Sequence, residues 1–118
     1  MAKTDKTAEK LAAMKAAMED KKAEDVVVLE LTGKSLMADY FVICTANSRP
    51  QINAIVDAVR EKFRDENFRK PSVEGMDQSK WVLLDAGDVI GHVFAPEERA
   101  FYNLEGFWAK APAIASES

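Results

Sequence analysis

The segment Tyr40–Thr45, with the sequence YFVICT, is the strongest constraint on what this chain can fold into. It is apolar on both of the faces that an extended strand presents to its surroundings. A strand of this kind is stable only inside a sheet whose two faces are both covered by other elements. We therefore predict that Tyr40–Thr45 is a central strand.

The clearest helix of the sequence follows this strand directly. Ser48 is a good N-cap, Pro50 lies in the first turn, and Gln51 stands three residues after Ser48, which completes a capping box. The helix is predicted to end near Asn67, and its apolar residues repeat at helical spacing: Ile52, Ile55, Val56, Val59 and Phe63. A short strand is predicted at Val73-Glu74, so the strand–helix–strand order predicts a crossover connection.

A β-hairpin is predicted in the last third of the chain. Trp81–Asp85 (WVLLD) and residues 88–95 (DVIGHVFA) are strand-like runs joined by a tight turn at Ala86-Gly87. Pro96 ends the second strand, and a last helix is predicted over residues 97–109. Its buried side is predicted to consist of Phe101, Leu104 and Trp108.

The N-terminal part adds a helix and a strand. A helix is predicted from about Thr4 to Lys22, and its thin apolar stripe of Leu11, Met14 and Met18 predicts packing on the edge of the domain. A strand follows over residues 25–31, and a turn over residues 32–35. The order α-β-β-α-β-β-β-α predicts an α/β (α+β) fold with one mixed five-stranded sheet flanked by helices.

The length of 118 residues fits one domain, predicted over residues 1–112, with a flexible tail over 113–118. No apolar run approaches the roughly 20 residues of a spanning helix, and the N-terminus lacks the apolar core of a secretory signal. We therefore expect a cytoplasmic protein without membrane contact. The single Cys44 cannot form an internal disulfide and is predicted to be a buried, inert thiol.

The charge balance of the chain indicates which kind of partner it can bind. The chain has 16 basic and 20 acidic residues, for a net charge of −4. Proteins that grip a nucleic-acid backbone usually carry a basic stripe, because neutralising phosphates supplies most of their affinity. We expect little direct nucleic-acid contact here, and an acidic docking surface would favour a basic protein partner.

The usual signs of catalysis are missing from the sequence. There is no Walker motif or GxGxxG, and the single Cys and single His are too few for a zinc site, so no cofactor, no metal and no enzyme activity are predicted. Asp39, Glu74, Asp85 and Asp88 fall at strand ends or turns, where two-metal sites are often built. No Asp-x-Asp follows in the next strand, however, and Asp85 and Asp88 are more simply interpreted as turn formers. His92 is predicted to be a core or near-core histidine rather than a base.

Trp81 leaves two interpretations open. It begins a strand after the polar loop 77–80, and strand alternation places it on one face with Leu83 and Asp85. It is either a lid over the core or an anchor for a partner, since tryptophan is enriched among binding hot spots.

Five segments, taken in order, resemble the Iojap-like ribosomal silencing factors. They are residues 38–43 (ADYFVI), 73–75 (VEG), 81–90 (WVLLDAGDVI), 92–94 (HVF) and 99–105 (RAFYNLE), and the resemblance covers roughly residues 8–112. Two positions depart from the family pattern. Ala46 stands where the family usually has glycine, and Gly91 stands where it tends to have an aliphatic residue.

The resemblance implies a fold similar to nucleotidyltransferases without their catalytic acids. It also implies binding to ribosomal protein fourteen of the large subunit, which blocks subunit joining and lowers translation when nutrients are scarce. On this basis Trp81 and Leu83 are predicted to anchor the partner, and Glu74, Asp85 and Asp88 to face its basic residues. Glu74 and Asp88 have a competing role as turn caps. A large-subunit assembly factor, a homodimer and a metal-dependent nucleotidyltransferase stay open as alternatives.

Overall fold

The computed structural model describes residues 2–33 and 38–110, and side chains within 6–33 and 38–107. None of the helices in this described part is both long and apolar enough to span a bilayer. The elements are α1 (Ala2–Asp20), β1 (Glu24–Glu30), β2 (Tyr40–Thr45), α2 (Arg49–Asp65), β3 (Ser72–Glu74), β4 (Trp81–Asp85), β5 (Val89–Phe94), α3 (Pro96–Tyr102) and α4 (Leu104–Lys110).

The five strands form one mixed sheet in the order β1-β2-β5-β4-β3. β2 and β5 are parallel, and the other three pairs are antiparallel. It follows that β2 and β3 run in the same direction, so α2 is the crossover between them. The prediction of a mixed five-stranded sheet with β2 in its interior is confirmed.

α2 begins as its sequence predicts. The Ser48 hydroxyl oxygen accepts a hydrogen bond from the backbone N–H of Gln51 at 3.2 Å. The Gln51 side chain in turn accepts from the backbone N–H of Asn47 at 2.8 Å, one residue before the N–H that a standard capping box uses. The side chains that α2 buries are the five predicted ones: Ile52, Ile55, Val56, Val59 and Phe63.

α1 packs with α2 on one face of the sheet, and its predicted position at the edge of the domain was wrong. Met14 and Met18 are 0% exposed and belong to the main hydrophobic core. The reason is that Ala13 and Ala17 are also buried, so the apolar stripe is wider than the large residues suggest. Small alanines let the helix approach the sheet, and the two methionines fill the space above β5.

That space exists because residue 91 is glycine. A Cβ atom at Gly91 would lie 2.7 Å from the Met14 sulfur and 3.2 Å from the terminal methyl of Met18. We expect Gly91→Ala to lower the free energy of unfolding by about 1 kcal/mol, because the core is already filled and the methionines must shift. Urea denaturation measures this change.

A substitution of Met14, the residue that packs over Gly91, provides the control for this prediction. In a Met14→Ala background the same Gly91→Ala change should cost clearly less, because the added methyl group enters vacated space. Equal costs in the two backgrounds would show that contact with Met14 is not what requires glycine at this position.

The C-terminal helix differs from its prediction in two ways. Asn103, with φ 44° and ψ 54°, is in the left-handed conformation and separates α3 from α4. Asparagine tolerates this conformation better than most residues, and its side chain accepts a hydrogen bond from the Gly106 N–H at 3.2 Å at the start of α4. Phe101 is 80% exposed, so its predicted burial was wrong, while Leu104 is half-buried. The side chain of Trp108, the tail 113–118 and the turn residues 34–35 lie outside the described residues.

Candidate functional site

The face of the sheet opposite α1 and α2 carries most of the residues predicted to bind a partner. In each strand every second side chain points away from the helices, and these side chains are neighbours across the sheet. Leu83 lies opposite His92, and His92 lies beside Ile43. We call this surface the second face, and its members are Leu29, Phe41, Ile43, Trp81, Leu83, Ile90, His92 and Phe94. Ile43, His92 and Phe94 are buried, whereas the other five are half-buried and keep apolar surface in contact with solvent.

Trp81 makes the contacts of a lid over the core, and its role as an anchor for a partner stays a prediction. Its ring stacks on Phe94 with 5.0 Å between centroids, and Tyr102 of α3 packs against it at 4.6 Å. Its indole N–H donates a hydrogen bond to Nδ1 of His92 at 3.0 Å. The residue therefore closes the core under α3 and is half-buried, with part of its surface accessible on the second face.

His92 is a buried neutral histidine. It is 4% exposed, and burial lowers its pKa to about 4. Because Nδ1 accepts the Trp81 hydrogen bond, the ring proton must reside on Nε2. Nε2 has no hydrogen-bond partner among the described residues, and the ring of Phe41 packs edge-on at 4.3 Å. An imidazole held in this way fixes Trp81 in place and is a poor base near neutral pH, which agrees with the predicted core role.

Cys44 lies on the opposite side of the sheet, in the core beneath the helices. It is fully buried, as predicted, and burial raises the pKa of its thiol to about 12. A thiol with this pKa stays protonated at neutral pH, and it is therefore not a nucleophile.

Two of the predicted acids border the second face. Glu74 is exposed in β3 and lies opposite Leu83, and Asp85 is exposed at the end of β4 opposite Ile90. The Asp85 carboxylate also accepts a hydrogen bond from the Gly87 N–H at 2.8 Å, so its predicted role in the turn is confirmed. The structure thus brings Glu74, Trp81, Leu83 and Asp85 together on one side of the sheet.

Asp88, the fifth predicted residue, is separate from this group. Its carboxylate accepts hydrogen bonds from Lys10 at 3.1 Å and from the Thr7 hydroxyl, and its side chain is 13% exposed. Its backbone carbonyl accepts from the N–H groups of Asp39 and Tyr40. Asp88 therefore joins α1 to the hairpin and to the start of β2, and a role toward a partner stays a prediction.

The contacts of Asp88 predict a pH-dependent contribution to stability. Burial alone would raise its pKa, but hydrogen bonds from Thr7 and Lys10 and the Lys10 charge hold the pKa below the ordinary value of 3.8. A carboxyl group with a depressed pKa contributes stability that is fully present above its unfolded-state pKa and is lost as pH falls through its folded-state pKa. We expect Asp88→Asn to cost about 1 kcal/mol at pH 7 and less at pH 3, as measured by urea denaturation at both values. The same cost at both pH values would contradict this assignment.

Arg99 is a contact residue that sequence reasoning missed. Its guanidinium forms a bidentate pair with Glu105 at 3.0 Å and donates to the Asp25 carbonyl and the Thr45 hydroxyl. It therefore fixes α3 and α4 to the ends of β1 and β2. The only feature of the sequence that could have indicated this role is that Arg99 is a lone arginine in an acidic segment. Nothing in the sequence showed which strand ends its side chain would reach.

The described residues contain no group of three or more His, Cys, Asp or Glu side chains that is placed to hold a metal ion. What the second face offers is instead a half-buried apolar surface of aromatic and aliphatic side chains with two carboxylates at its border. Such a combination is typical of surfaces that bind another macromolecule.

Comparisons with known proteins identify relatives over nearly the whole chain. The family model described as "Ribosomal silencing factor during starvation" matches residues 4–118. A ribosomal silencing factor of Halalkalibacterium halodurans is 46% identical over 101 residues, which is 86% of each chain. The chloroplastic protein Iojap of Arabidopsis thaliana is 40% identical over 95 residues, covering 80% of this chain and 40% of that protein.

A solved structure and a more distant relative complete the comparison. The crystal structure of protein CV0518 from Chromobacterium violaceum superposes with a TM-score of 0.82 at 30% identity and covers 91% of this chain and 90% of its own. A mouse protein named "Mitochondrial assembly of ribosomal large subunit protein 1" is 29% identical over 89 residues, covering 73% of this chain and 39% of that protein.

Proposed function

Because this chain belongs to the ribosomal silencing factor family, we propose that it binds ribosomal protein fourteen of the large subunit through the second face and thereby blocks subunit joining. Repression of translation when nutrients are limiting would follow. The site of action is the cytoplasm, where the ribosomal subunits meet.

The observation that carries this proposal is the half-buried apolar surface around Trp81 and Leu83, which keeps contact with solvent. Interfaces are centred on desolvated aromatic and aliphatic anchors, and tryptophan is prominent among them. Trp81 is held by His92 and Phe94, so little conformational entropy remains to be lost when a partner covers it. A preorganised anchor of this kind supports tight binding from a small domain.

The acids at the border supply orientation rather than most of the affinity. Glu74 and Asp85 are exposed, and exposed charges contribute modestly while steering the approach of a basic partner. We propose that these two face lysine and arginine side chains of the ribosomal protein. Asp88 is a weaker candidate for the same role because its carboxylate already accepts hydrogen bonds from Thr7 and Lys10.

The mechanism requires no chemistry. A bound domain of 13.1 kDa occupies surface that the small subunit would otherwise contact, and two bodies cannot share one surface. The metal-dependent nucleotidyltransferase considered from the sequence would instead form product when the protein is incubated with labelled nucleoside triphosphates, divalent metal and RNA.

Co-sedimentation with purified ribosomal subunits tests the proposal. The protein should pellet with the large subunit and not with the small one, and prior binding should reduce the formation of joined ribosomes in a light-scattering or gradient assay. Failure to pellet with the large subunit, or pelleting without any effect on joining, would contradict the proposal.

A role in large-subunit assembly is the second candidate, and the name of the mouse relative favours it. The same docking surface would then act on an immature particle. A deletion strain separates the two: accumulated large-subunit precursors indicate assembly, whereas normal particles with excess translation during starvation indicate silencing.

A further inference from the structure

Two depressions in the surface adjoin each other at the end of α2. One is lined by Lys10, Arg69 and Lys70 together with Ser72 and the turn at residues 85–87. The other is lined by Asp57, Arg60, Glu61 and Arg64, and again by Lys70. Because Lys70 borders both depressions, they form one continuous surface. We call it the basic corner, and its basic members are Lys10, Arg60, Arg64, Arg69 and Lys70.

The sign of charge in the basic corner is opposite to that of the whole chain. Five basic residues line it against three acidic ones, while the chain as a whole has 16 basic and 20 acidic residues. Lys10 is paired with Asp88 at 3.1 Å, and Arg64 with Asp65 at 3.2 Å.

The remaining three basic residues of the corner are available to a ligand. Arg60, Arg69 and Lys70 are exposed and form no ion pair with any side chain that the structure describes. A cluster of exposed cations on an otherwise acidic domain repels itself and is stabilised when an anion binds it.

The basic corner lies next to the second face. Ser72 in β3 lies opposite Asp85 in β4, and Asp85 lies opposite Ile90 of the second face. Asp85 therefore borders the second face and also lines the same depression as Arg69 and Lys70. Neither depression of the corner is an enclosed cavity, which suits an extended anionic chain better than a small enclosed ligand.

We propose that the basic corner binds the phosphate backbone of ribosomal RNA beside the protein on which the second face docks. Arginine and lysine are the side chains that recognise phosphate, arginine through its planar fork and lysine as a point charge. This inference rests on the proposed function, because docking on the large subunit is what brings RNA to the corner. The net charge of the whole chain predicts little contact with nucleic acid. The proposed contact is confined to the basic corner.

The test compares two full-length variants of equal charge. Arg69→Gln combined with Lys70→Gln should weaken binding to intact large subunits about tenfold at 100 mM salt and reduce the slope of log K against log salt by about 1 to 2. Lys15→Gln combined with Lys62→Gln removes the same charge from the i, i+4 pairs with Glu19 and Glu66, and it should leave both quantities nearly unchanged.

The second part of the experiment measures binding of the same variants to isolated ribosomal protein fourteen. The Arg69/Lys70 variant should bind this protein as well as the unaltered chain does, because no RNA is present. An equal loss in both arms would show that the corner contacts protein and would overturn the RNA assignment, as would unchanged binding and salt slope on the intact subunit. If the unaltered chain binds neither target, the proposed function itself fails.

Discussion

Replacing Trp81 with alanine should weaken binding to the large ribosomal subunit by at least about 2 kcal/mol, or roughly thirtyfold. The change removes the largest half-buried side chain of the second face. It also leaves Nδ1 of His92 without its donor and takes away the ring that packs between Phe94 and Tyr102. Titration of labelled protein against purified large subunits measures the loss.

Because Trp81 also closes part of the core, loss of folding must be separated from loss of binding. Circular dichroism and urea denaturation give the folded fraction of Trp81→Ala under the conditions of the titration. Trp81→Phe is the matched control, since it keeps a smaller aromatic ring against Phe94 while removing the indole N–H, and its affinity should fall much less. Leu83→Ala offers a second route, because the aliphatic Leu83 side chain forms no hydrogen bond and is half-buried on the same surface. A folded Trp81→Ala protein that binds with unchanged affinity would remove Trp81 from the interface.

Acidification from pH 7 to pH 5 should lower the free energy of unfolding by about 2 kcal/mol through His92 alone. Its pKa is about 4 in the folded protein, against 6.5 for an ordinary histidine. Between these values the unfolded chain takes up a proton that the folded chain excludes, so stability is complete above pH 6.5 and falls as pH is lowered toward 4. Urea denaturation at several pH values gives the slope directly.

His92→Gln supplies the control for this pH dependence. Its amide oxygen is able to accept the Trp81 N–H, but the side chain does not titrate, so the variant should be less stable at pH 7 and nearly flat between pH 7 and pH 5. A variant with the same slope as the unaltered protein would assign the pH dependence to other groups. Asp88 is not among them, because its depressed pKa acts only below about pH 4.

Sequence reasoning succeeded where the deciding interactions are local. β2 and β4 begin and end at the predicted residues because their short apolar runs and their flanking turns lie within a few positions of each other. The start of α2 is set by Ser48 and Gln51, which contact each other across a single turn. The family resemblance was confirmed for the same reason, since its motifs are short and contiguous.

The failures concern contacts between residues that are distant in sequence. The burial of α1 depends on Gly91, more than 70 residues away, which leaves room for Met14 and Met18. The second face gains Phe41 and Ile43 only because β2 pairs with β5, and no local pattern reveals that pairing. The break at Asn103 is local, but helix propensity favours a continuous helix there, and a single asparagine signals an end only weakly.

The parallel pairing of β2 with β5 bears on how the chain matures during its own synthesis. Nearly fifty residues separate Thr45 from Phe94, which face each other in that pair. Until β5 has left the exit tunnel of the ribosome, β2 has only β1 beside it, and the apolar YFVICT strand presents an unsatisfied edge to its surroundings. Ribosome-bound nascent chains that end before residue 89 should therefore remain protease-sensitive, and protection should arise abruptly once residue 94 has emerged.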